Sequence, residues 1–208
     1  MNIASLALPS GSEWGALVIA YLIGAIPFGY LFARMKGVDI RAIGSGNIGA
    51  TNTGRALGKP LGFLAFLLDF AKGYVPVFFI APHFAGPSTA MSLMVLSGAA
   101  AVVGHCWPVY LGFKGGKGVA SGCGAVIALD PSIFTVGGVV FVLMVLGVGY
   151  MSLASIAMTV TFPIAAWYGG AESEVVIGCA AFAVLVIWRH RSNLVRLFAG
   201  LEPRWHKK

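Results

Sequence analysis

The feature that most constrains the fold is a series of long apolar segments in which charged residues are almost absent. About 20 consecutive apolar residues, coiled as a helix, cross the hydrocarbon core of a bilayer. The segments cover residues 14–32, 61–82, 89–107, 119–129, 133–150, 153–168 and 175–188. With 58% hydrophobic and 10% charged residues, the chain lacks the polar surface of a soluble domain. The sequence therefore predicts an all-α polytopic membrane protein with seven transmembrane helices, forming a single domain over residues 1–208.

The fourth segment, 119–129, is the shortest. A helix of that length covers roughly 16 Å, about half of the ~30 Å hydrocarbon core. Either the helix begins earlier, at Lys117, or it is a partial helix sheltered by its neighbours.

The distribution of basic residues supports an odd number of spans. With seven spans, the loops at 33–60, 108–118 and near Met151 lie on the same side as the C-terminal tail. The Lys and Arg residues on that side are Arg34, Lys36, Arg41, Arg55, Lys59, Lys114, Lys117, Arg189, Arg191, Arg196, Arg204, Lys207 and Lys208. The opposite side has only the acidic residues Glu13, Asp130, Glu172 and Glu174. The positive-inside rule then places the C-terminus in the cytoplasm and the N-terminus outside.

One pair of charges lies inside the second segment. Asp69 and Lys72 are three residues apart, so they share a face of the helix and can pair. An ionisable pair at membrane depth is a candidate for function. Alternatively, the pair is structural, and Asp69 neutralises Lys72 so that the helix can pack. Both interpretations stay open. In either case Asp69→Ala should destabilise the protein, because it leaves a poorly paired charge.

The first basic loop, residues 44–58, is dense in glycine, hydroxyl and amide side chains. Such a loop can turn successive backbone N–H groups toward an anion, while Arg55 clamps phosphate in a bidentate manner. The spacing Gly44-x-Gly46-x-x-Gly49 matches a dinucleotide fingerprint, but no strand precedes it, so we reject that function. We expect Ser45, Asn47 and Arg55 to contact substrate.

The second basic loop, residues 105–118, carries Lys114 and Lys117 among four glycines. It resembles a Walker A loop, but Gly118 stands where a magnesium-binding Ser or Thr is required, and this excludes ATP hydrolysis. Two lysines at a membrane boundary can also bind lipid headgroups. The intervening glycines favour a shaped phosphate site, to which His105 also belongs.

Polar residues near the last two segments complete the candidate set. His190 and Asn193 share a face if the seventh helix continues, and Ser152 and Ser155 have the same spacing. Serines in membrane helices often bond their own backbone, so substrate contact by Ser152 and Ser155 is one of two alternatives. The three cysteines are far apart and form no CxxC pair, which predicts buried thiols and no metal site.

Four stretches together resemble the bacterial acyl-phosphate:glycerol-3-phosphate acyltransferase family. They are GSGNIGATNTGRALG at 44–58, LLDFAKGYVPV at 67–77, GHCWPVYLGFKGGKGVASG at 104–122 and HRSN at 190–193. The resemblance runs from about residue 25 to residue 196, which is most of the chain. Several long motifs in the same order are a specific signal, whereas one glycine-rich loop is not.

The resemblance implies an enzyme of the bacterial inner membrane with its active site at the cytoplasmic face. Its substrates would be glycerol 3-phosphate and a fatty acyl phosphate, and its products lysophosphatidate and phosphate, in the first acylation of phospholipid biosynthesis. Membrane lipid is the expected surrounding, with no cofactor, metal or nucleic acid. The residues that match the family's active site are Ser45, Arg55, one of Lys114 and Lys117, His190 and Asn193. Family members have adjacent serines where this chain has Ser152 and Ser155, so a role for these two is less direct.

The chemistry of an acyl phosphate fits these side chains. Phosphate is a good leaving group, so a bound hydroxyl can attack directly without a covalent enzyme intermediate. Arg55 and a lysine would balance the charge of the phosphate, while Asn193 or the Ser45 N–H stabilises the oxyanion. His190 is either a general base or a group that orients substrate while a phosphate oxygen takes the proton.

Two rival functions have weaker support. Thioester-dependent acyltransferases use a His-x4-Asp dyad. The fifth residues after His83, His105 and His190 are Ser88, Tyr110 and Val195, so none of these histidines belongs to such a dyad. A transporter of phosphorylated anions would need polar residues in several spans, yet only Asp69 and Lys72 interrupt them, and no inverted repeat is evident.

Overall fold

The computed structural model describes residues 9–205. Over this range the secondary structure is helical and contains no strand, which confirms the all-α prediction. The helices are α1 (Glu13–Ala25), α2 (Phe28–Met35), α3 (Ala50–Leu57), α4 (Lys59–Val75), α5 (Ala81–Phe84), α6 (Ala90–Cys106), α7 (Val119–Leu129), α8 (Pro131–Gly147), α9 (Met151–Tyr168), α10 (Ser173–Arg189) and α11 (Arg191–Phe198). A π-helical stretch, Pro76–Ile80, joins α4 to α5, and short 3-10 turns lie at Ile40–Ala42 and Val109–Leu111. The described residues form two compact units, an N-terminal unit (9–129) and a C-terminal unit (130–205).

Close backbone contacts hold the N-terminal unit together. Helix α1 packs against α6, and α4 packs against α7. A Cβ added to Gly24 of α1 would lie 2.1 Å from the Ala101 carbonyl oxygen, and one added to Gly73 of α4 would lie 1.8 Å from that of Ser121. Glycine at these positions lets the helix backbones touch, which is a common way to associate helices in a membrane, where burial of apolar surface gives little gain.

The boundary between α1 and α2 is a break in the first apolar segment. Ile26 has an extended backbone and Pro27 follows it, because proline has no N–H with which to continue the helical ladder. The carbonyl of Ile26 instead accepts a hydrogen bond from Lys72 of α4, at 2.9 Å. The break therefore provides an acceptor for a lysine at membrane depth.

The C-terminal unit is built around α9, which packs against both α8 and α10. Phe162 is fully buried and its ring stacks with that of Phe182, with centroids 6.4 Å apart. Asp130 caps α8 by accepting from the Ser132 N–H at 2.7 Å, and hydrogen bonds from Ser132 hold the pKa of Asp130 below its usual range. Helix α10 is followed by α11 after a bend of 56° at His190.

All seven predicted segments lie on helices, although some bounds differ. The fifth was predicted to reach residue 150, but α8 ends at Gly147 because Gly149 adopts a φ of +80°. Helix α7 begins at Val119, so the earlier start at Lys117 is wrong; Gly118, with a φ of +81°, ends the preceding loop. The three cysteines, Cys106, Cys123 and Cys179, are buried as predicted.

Four helical segments in the described range are long and apolar enough to cross a membrane. They are Glu13–Met35, Lys59–Phe84, Ala90–Leu111 and Met151–Tyr168. The bent pair α10 and α11 gives a fifth if it counts as one span, whereas α7 and α8, with 11 and 17 residues, are shorter apolar helices. A count of seven spans and the orientation of the termini stay predictions.

Candidate active site

The first loop is held in shape by a residue that sequence reasoning did not select. The Asn52 side chain is 2% exposed, and its oxygen accepts from the Ser45 N–H at 3.0 Å. Its amide nitrogen donates to the carbonyls of Ile40 and Ile43, at 3.1 and 3.0 Å. One buried amide thereby fixes the backbone on both sides of the Ser45 turn. The only signal in the sequence is that Asn52 lies three residues, about one helical turn, before Arg55.

The turn brings Ser45 near Arg55. Gly44 and Gly46 adopt φ values of +58° and +66°, in the left-handed region that favours glycine. A Cβ on Gly44 would lie 2.5 Å from the Asn52 side-chain oxygen and 3.8 Å from Cδ of Arg55. Arg55 therefore runs beside the Gly44–Ser45 backbone, and both Ser45 and Arg55 are exposed at this surface.

Three amides of the first loop donate within the loop itself. The N–H groups of Ser45, Gly46 and Gly49 donate to Asn52, Ile43 and Asn47, within the loop itself. Compact turns use these three donors, so an anion nest would need other amides of the loop, and it stays a prediction. The Ser45 N–H donates to Asn52 in this structure, and its oxyanion role stays a prediction, as does anion binding by the Ser45 hydroxyl and the Arg55 guanidinium.

The Asn47 side chain has a local role. Its oxygen accepts from the Gly49 N–H at 2.8 Å and shapes the turn that leads into α3. Substrate contact by Asn47 stays a prediction.

The second loop folds back onto the end of α6. The Gly115 N–H donates to the Cys106 carbonyl at 3.2 Å, and the Gly116 N–H donates to the His105 carbonyl at 3.0 Å. These glycines serve close packing, since a Cβ on Gly115 would lie 2.2 Å from the carbonyl oxygen of His105. Their amides are therefore used by α6, and a phosphate at this loop would depend on the lysine side chains.

The two basic loops share one hydrophobic cluster. Leu111, in the second loop, packs against a buried cluster of Ala33, Ile40 and Ile48, of which Ile48 belongs to the first loop. Lys114 is exposed and Lys117 is half-buried. The N-terminal unit thus brings together the loop that carries Ser45 and Arg55 and the loop that carries both lysines.

His105, predicted to bind substrate, is buried behind the second loop with 4% exposure. Its Nδ1 lies 3.7 Å from Oδ1 of Asp69, which forms a 3.0 Å ion pair with Lys72. The predicted pairing of Asp69 with Lys72 is therefore confirmed. His105 contacts the second loop from the buried side of that loop. Direct contact between His105 and substrate stays a prediction.

In the C-terminal unit, the carboxylate of Glu202 accepts hydrogen bonds from several polar side chains. Glu202 accepts from the Ser152 hydroxyl and the Asn193 amide, both at 2.7 Å, and from Nε of Arg196 at 2.9 Å. Burial raises the pKa of Glu202, but these three hydrogen bonds outweigh burial and hold the pKa below its ordinary value. Sequence reasoning missed Glu202, and its one signal was an acidic residue in an otherwise basic tail.

His190 lies at the bend between α10 and α11. Its Nδ1 lies 2.8 Å from the carbonyl of Val186, which can only accept, so Nδ1 carries the proton of this hydrogen bond. The helix does not continue straight through His190 as its pairing with Asn193 assumed. The Asn193 N–H instead donates to the His190 carbonyl at 2.8 Å, which keeps the two residues adjacent.

The two serines of α9 differ in their contacts. Ser152 bonds Glu202, as above, whereas the Ser155 hydroxyl donates to the Met151 carbonyl of its own helix at 2.8 Å. The latter is the backbone bond expected as one alternative for a membrane-helix serine. Substrate contact by either serine stays a prediction.

Comparison with known proteins decides the family. A protein-family model described as Glycerol-3-phosphate acyltransferase matches residues 14–200. The chain belongs to the glycerol-3-phosphate acyltransferase family. A relative of that name from Aquifex aeolicus (strain VF5) is 42% identical over 189 residues, which cover 91% of this chain and 97% of the relative. Another from Desulfotalea psychrophila (strain LSv54 / DSM 12343) is 43% identical over 192 residues, 92% of this chain and 97% of the relative.

A solved member of the family has the same fold. The crystal structure of PlsY (YgiH), described as an integral membrane glycerol 3-phosphate acyltransferase, in its glycerol 3-phosphate form, matches with a TM-score of 0.88 and 41% identity. The match covers 93% of this chain and 96% of that one. The lysophosphatidic acid form matches with a TM-score of 0.85 and 41% identity, over 93% and 95% of the two chains. The apolar helices of the present chain and its likeness to this structure show that the chain is an integral membrane protein. The family predicted from the motifs is confirmed.

Proposed function

We propose that the chain transfers a fatty acyl group from acyl phosphate to the 1-hydroxyl of sn-glycerol 3-phosphate, giving lysophosphatidate and phosphate. The observation that carries the proposal is the likeness, over 93% of the chain, to a structure in its glycerol 3-phosphate form. The same protein in a lysophosphatidic acid form supports the acceptor and the product. The acyl-phosphate donor rests on the motif resemblance and on the chemistry below.

The side chains of the N-terminal unit suit anionic substrates. Arg55 has a planar guanidinium that can bind two phosphate oxygens at once, and Lys114 and Lys117 add positive charge on the adjoining loop. The shared cluster around Leu111 fixes these loops relative to each other. Because the amides of Gly46, Gly49, Gly115 and Gly116 donate internally, we expect side-chain charge to contribute most of the recognition here.

The reaction needs one displacement. The 1-hydroxyl oxygen attacks the acyl carbonyl carbon, an ester bond forms, and the bond from that carbon to the phosphate oxygen breaks. The hydroxyl proton leaves with the phosphate, or the His190 imidazole takes it as a general base. The positive charge of Arg55 and one lysine stabilises the departing phosphate.

We assign Ser45, His190 and Asn193 as catalytic residues. Ser45 would present its hydroxyl to the substrates. Asn193 would present its amide, which Glu202 holds in place, and His190 would accept or orient the proton of the acceptor hydroxyl. Asn47, His105, Ser152 and Ser155 remain proposed substrate contacts.

The proposed topology has seven spans, with the N-terminus outside and the C-terminus in the cytoplasm. Under it the basic loops face the cytoplasm of a bacterial inner membrane, where a soluble phosphorylated acceptor and a membrane-bound acyl donor meet. Residues 1–208 would then act as one functional domain, with no cofactor or metal.

The test compares two acceptors with the purified protein in detergent or lipid. With palmitoyl phosphate as donor, glycerol 3-phosphate should be acylated and glycerol should not, because glycerol lacks the phosphate that Arg55 binds. Arg55→Ala should lower kcat/KM for glycerol 3-phosphate by roughly 100-fold or more, in line with the loss of a bidentate charged contact. Product is measured by mass spectrometry.

Arg34→Ala is the matched control, since Arg34 is an exposed arginine at the end of α2. It should retain the activity of the unaltered protein. Equal acylation of glycerol and glycerol 3-phosphate, or equal losses in the two arginine variants, would contradict the assignment of Arg55 as a phosphate ligand.

A further inference from the structure

A chain of buried polar contacts runs from the middle of α4 to the second basic loop. It begins with Asp69 and Lys72, which are 2% and 3% exposed and form an ion pair of 3.0 Å. They are the charged residues of the otherwise apolar stretch from Leu61 to Phe84. A buried pair of this kind is costly to bring out of water, so its retention calls for a role.

Lys72 has more partners than the ion pair provides. Its Nζ donates to the Ile26 carbonyl at 2.9 Å and lies 5.8 Å from the centre of the Phe28 ring. The lysine thus satisfies a carbonyl exposed by the α1–α2 break. These contacts fix Lys72 on the side of the first apolar segment.

Asp69 extends the contacts in the other direction. Its Oδ1 lies 3.7 Å from Nδ1 of His105, at the C-terminal end of α6. Simple neutralisation of Lys72 would be complete with the ion pair alone. The approach of an imidazole from another helix is an additional feature, and it joins the buried pair to the residue that precedes the second loop.

The opposite edge of the His105 ring lies against that loop. A Cβ added to Gly116 would lie 1.9 Å from Nε2 of His105, and the Gly116 N–H donates to the His105 carbonyl at 3.0 Å. The ring is thereby enclosed between the Asp69 carboxylate on one edge and the loop backbone on the other. Lys117 follows Gly116 directly.

We propose that Asp69 is a positioning residue that sets the His105 ring and, through it, the backbone of the loop bearing Lys114 and Lys117. The Asp69–Lys72 pair then contributes to substrate binding without touching substrate. This inference rests on the proposed function, because the two lysines are assigned there as phosphate ligands.

The experiment has one arm that needs no substrate. Asp69→Asn keeps the shape of the side chain and removes its charge. Hydrogen exchange followed by mass spectrometry should show peptides covering 108–118 exchanging about tenfold faster or more, because a ring that Asp69 no longer sets holds the loop less firmly and the hydrogen bonds of Gly115 and Gly116 to the end of α6 open more often. Peptides from the C-terminal unit should not change.

The kinetic arm separates positioning from catalysis. In Asp69→Asn the KM for a phosphate-bearing substrate should rise roughly tenfold, while kcat stays within about threefold of the unaltered protein. A fall in kcat at unchanged KM would contradict the proposal. If the protein does not acylate glycerol 3-phosphate at all, the proposed function fails, and the exchange arm still decides whether Asp69 sets the loop.

Glu13→Gln is the matched control. Glu13 is another buried carboxylate of the N-terminal unit, 5% exposed, and it accepts from the Ser10 N–H and the Thr89 hydroxyl. Its loss should leave exchange in 108–118 unchanged. The proposal is overturned if folded Asp69→Asn exchanges in this loop like the unaltered protein, or if Glu13→Gln accelerates the loop equally.

A second variant covers failure of Asp69→Asn to fold. His105→Gln leaves the Asp69–Lys72 pair intact and removes the ring from beside Gly116. It should accelerate exchange in 108–118 to a similar degree, and unchanged exchange would overturn the proposal.

Discussion

At the scale of single residues, one buried polar side chain in each unit holds candidate site residues in place. Asn52 bonds three backbone groups around the Ser45 turn, and Glu202 gathers Ser152, Asn193 and Arg196. Neither residue presents an obvious group to substrate. Their replacement should therefore disturb the arrangement of other side chains before it removes any substrate contact.

Glu202→Gln should destabilise the C-terminal unit. The Glu202 side chain is 6% exposed, and the variant exchanges a carboxylate for an amide whose nitrogen cannot accept from Arg196 or Asn193. We expect a loss of about 2 kcal/mol in the free energy of unfolding, typical of a broken set of charge-assisted hydrogen bonds. Thermal unfolding measures this loss. Glu172→Gln, at an exposed carboxylate before α10, should change stability little, and equal losses in the two variants would contradict the assigned role of Glu202.

The same carboxylate gives a pH dependence with a definite sign. Its pKa is lowered in the folded protein relative to the ordinary value of 4.5, so the folded state favours the ionised form. The stability it contributes is fully present above pH 4.5 and is lost as the pH falls through the lowered pKa. The stability difference between the unaltered protein and Glu202→Gln should therefore shrink below that pH.

The sequence predicted the residues with reactive or charged groups and missed the residues that hold them. Arg55, Lys117 and His190 stand out because guanidinium, ammonium and imidazole groups suit phosphate and proton chemistry. Asn52 and Glu202 act through partners between 6 and 50 positions away in the chain, a relation that appears only in three dimensions. The internal use of the glycine amides was hidden for the same reason.

At the scale of helices, the contacts between α4 and its neighbours depend on glycine. Gly73 lies one residue after Lys72 and meets the backbone of α7. Any side chain there would push α7 away from α4. Since α7 follows the second basic loop, the position of that loop depends on this contact.

Gly73→Ala should destabilise the N-terminal unit by about 1–3 kcal/mol or more, because its Cβ would overlap the Ser121 carbonyl oxygen at 1.8 Å. Gly138→Ala in α8 is the control. No atom lies within 4 Å of a Cβ at that position, so the same substitution should be neutral or stabilising by up to about 1 kcal/mol. Thermal unfolding in detergent compares the two variants. A Gly73→Ala protein as stable as the Gly138→Ala protein would contradict the packing argument.

Helix positions were predictable because apolar length is a property of local sequence. The breaks between helices were less predictable from the sequence. The first segment divides at Ile26–Pro27, and α10 is followed at His190 by a bend of 56°. Pro27 is a sequence signal for a break, but its stabilisation by Lys72 depends on a contact 46 positions along the chain. The bend at His190 has no proline or glycine to mark it.

At the scale of the whole molecule, charge and hydrophobicity agree with a membrane enzyme of anionic substrates. The net charge is +7, and the basic residues other than Lys72 are concentrated at helix ends, in the loops and in the tail. The N-terminal unit carries Arg55 and the lysine loop, and the C-terminal unit carries His190 and Asn193. Both units belong to the range that the family model matches.

The identity of the acyl donor tests the central claim most directly. Purified protein should be given glycerol 3-phosphate with palmitoyl phosphate, palmitoyl-CoA or palmitoyl carrier protein in parallel, without added metal. Our account predicts lysophosphatidate and an equal amount of released phosphate with palmitoyl phosphate, and no turnover with either thioester. Turnover supported only by a thioester would contradict it.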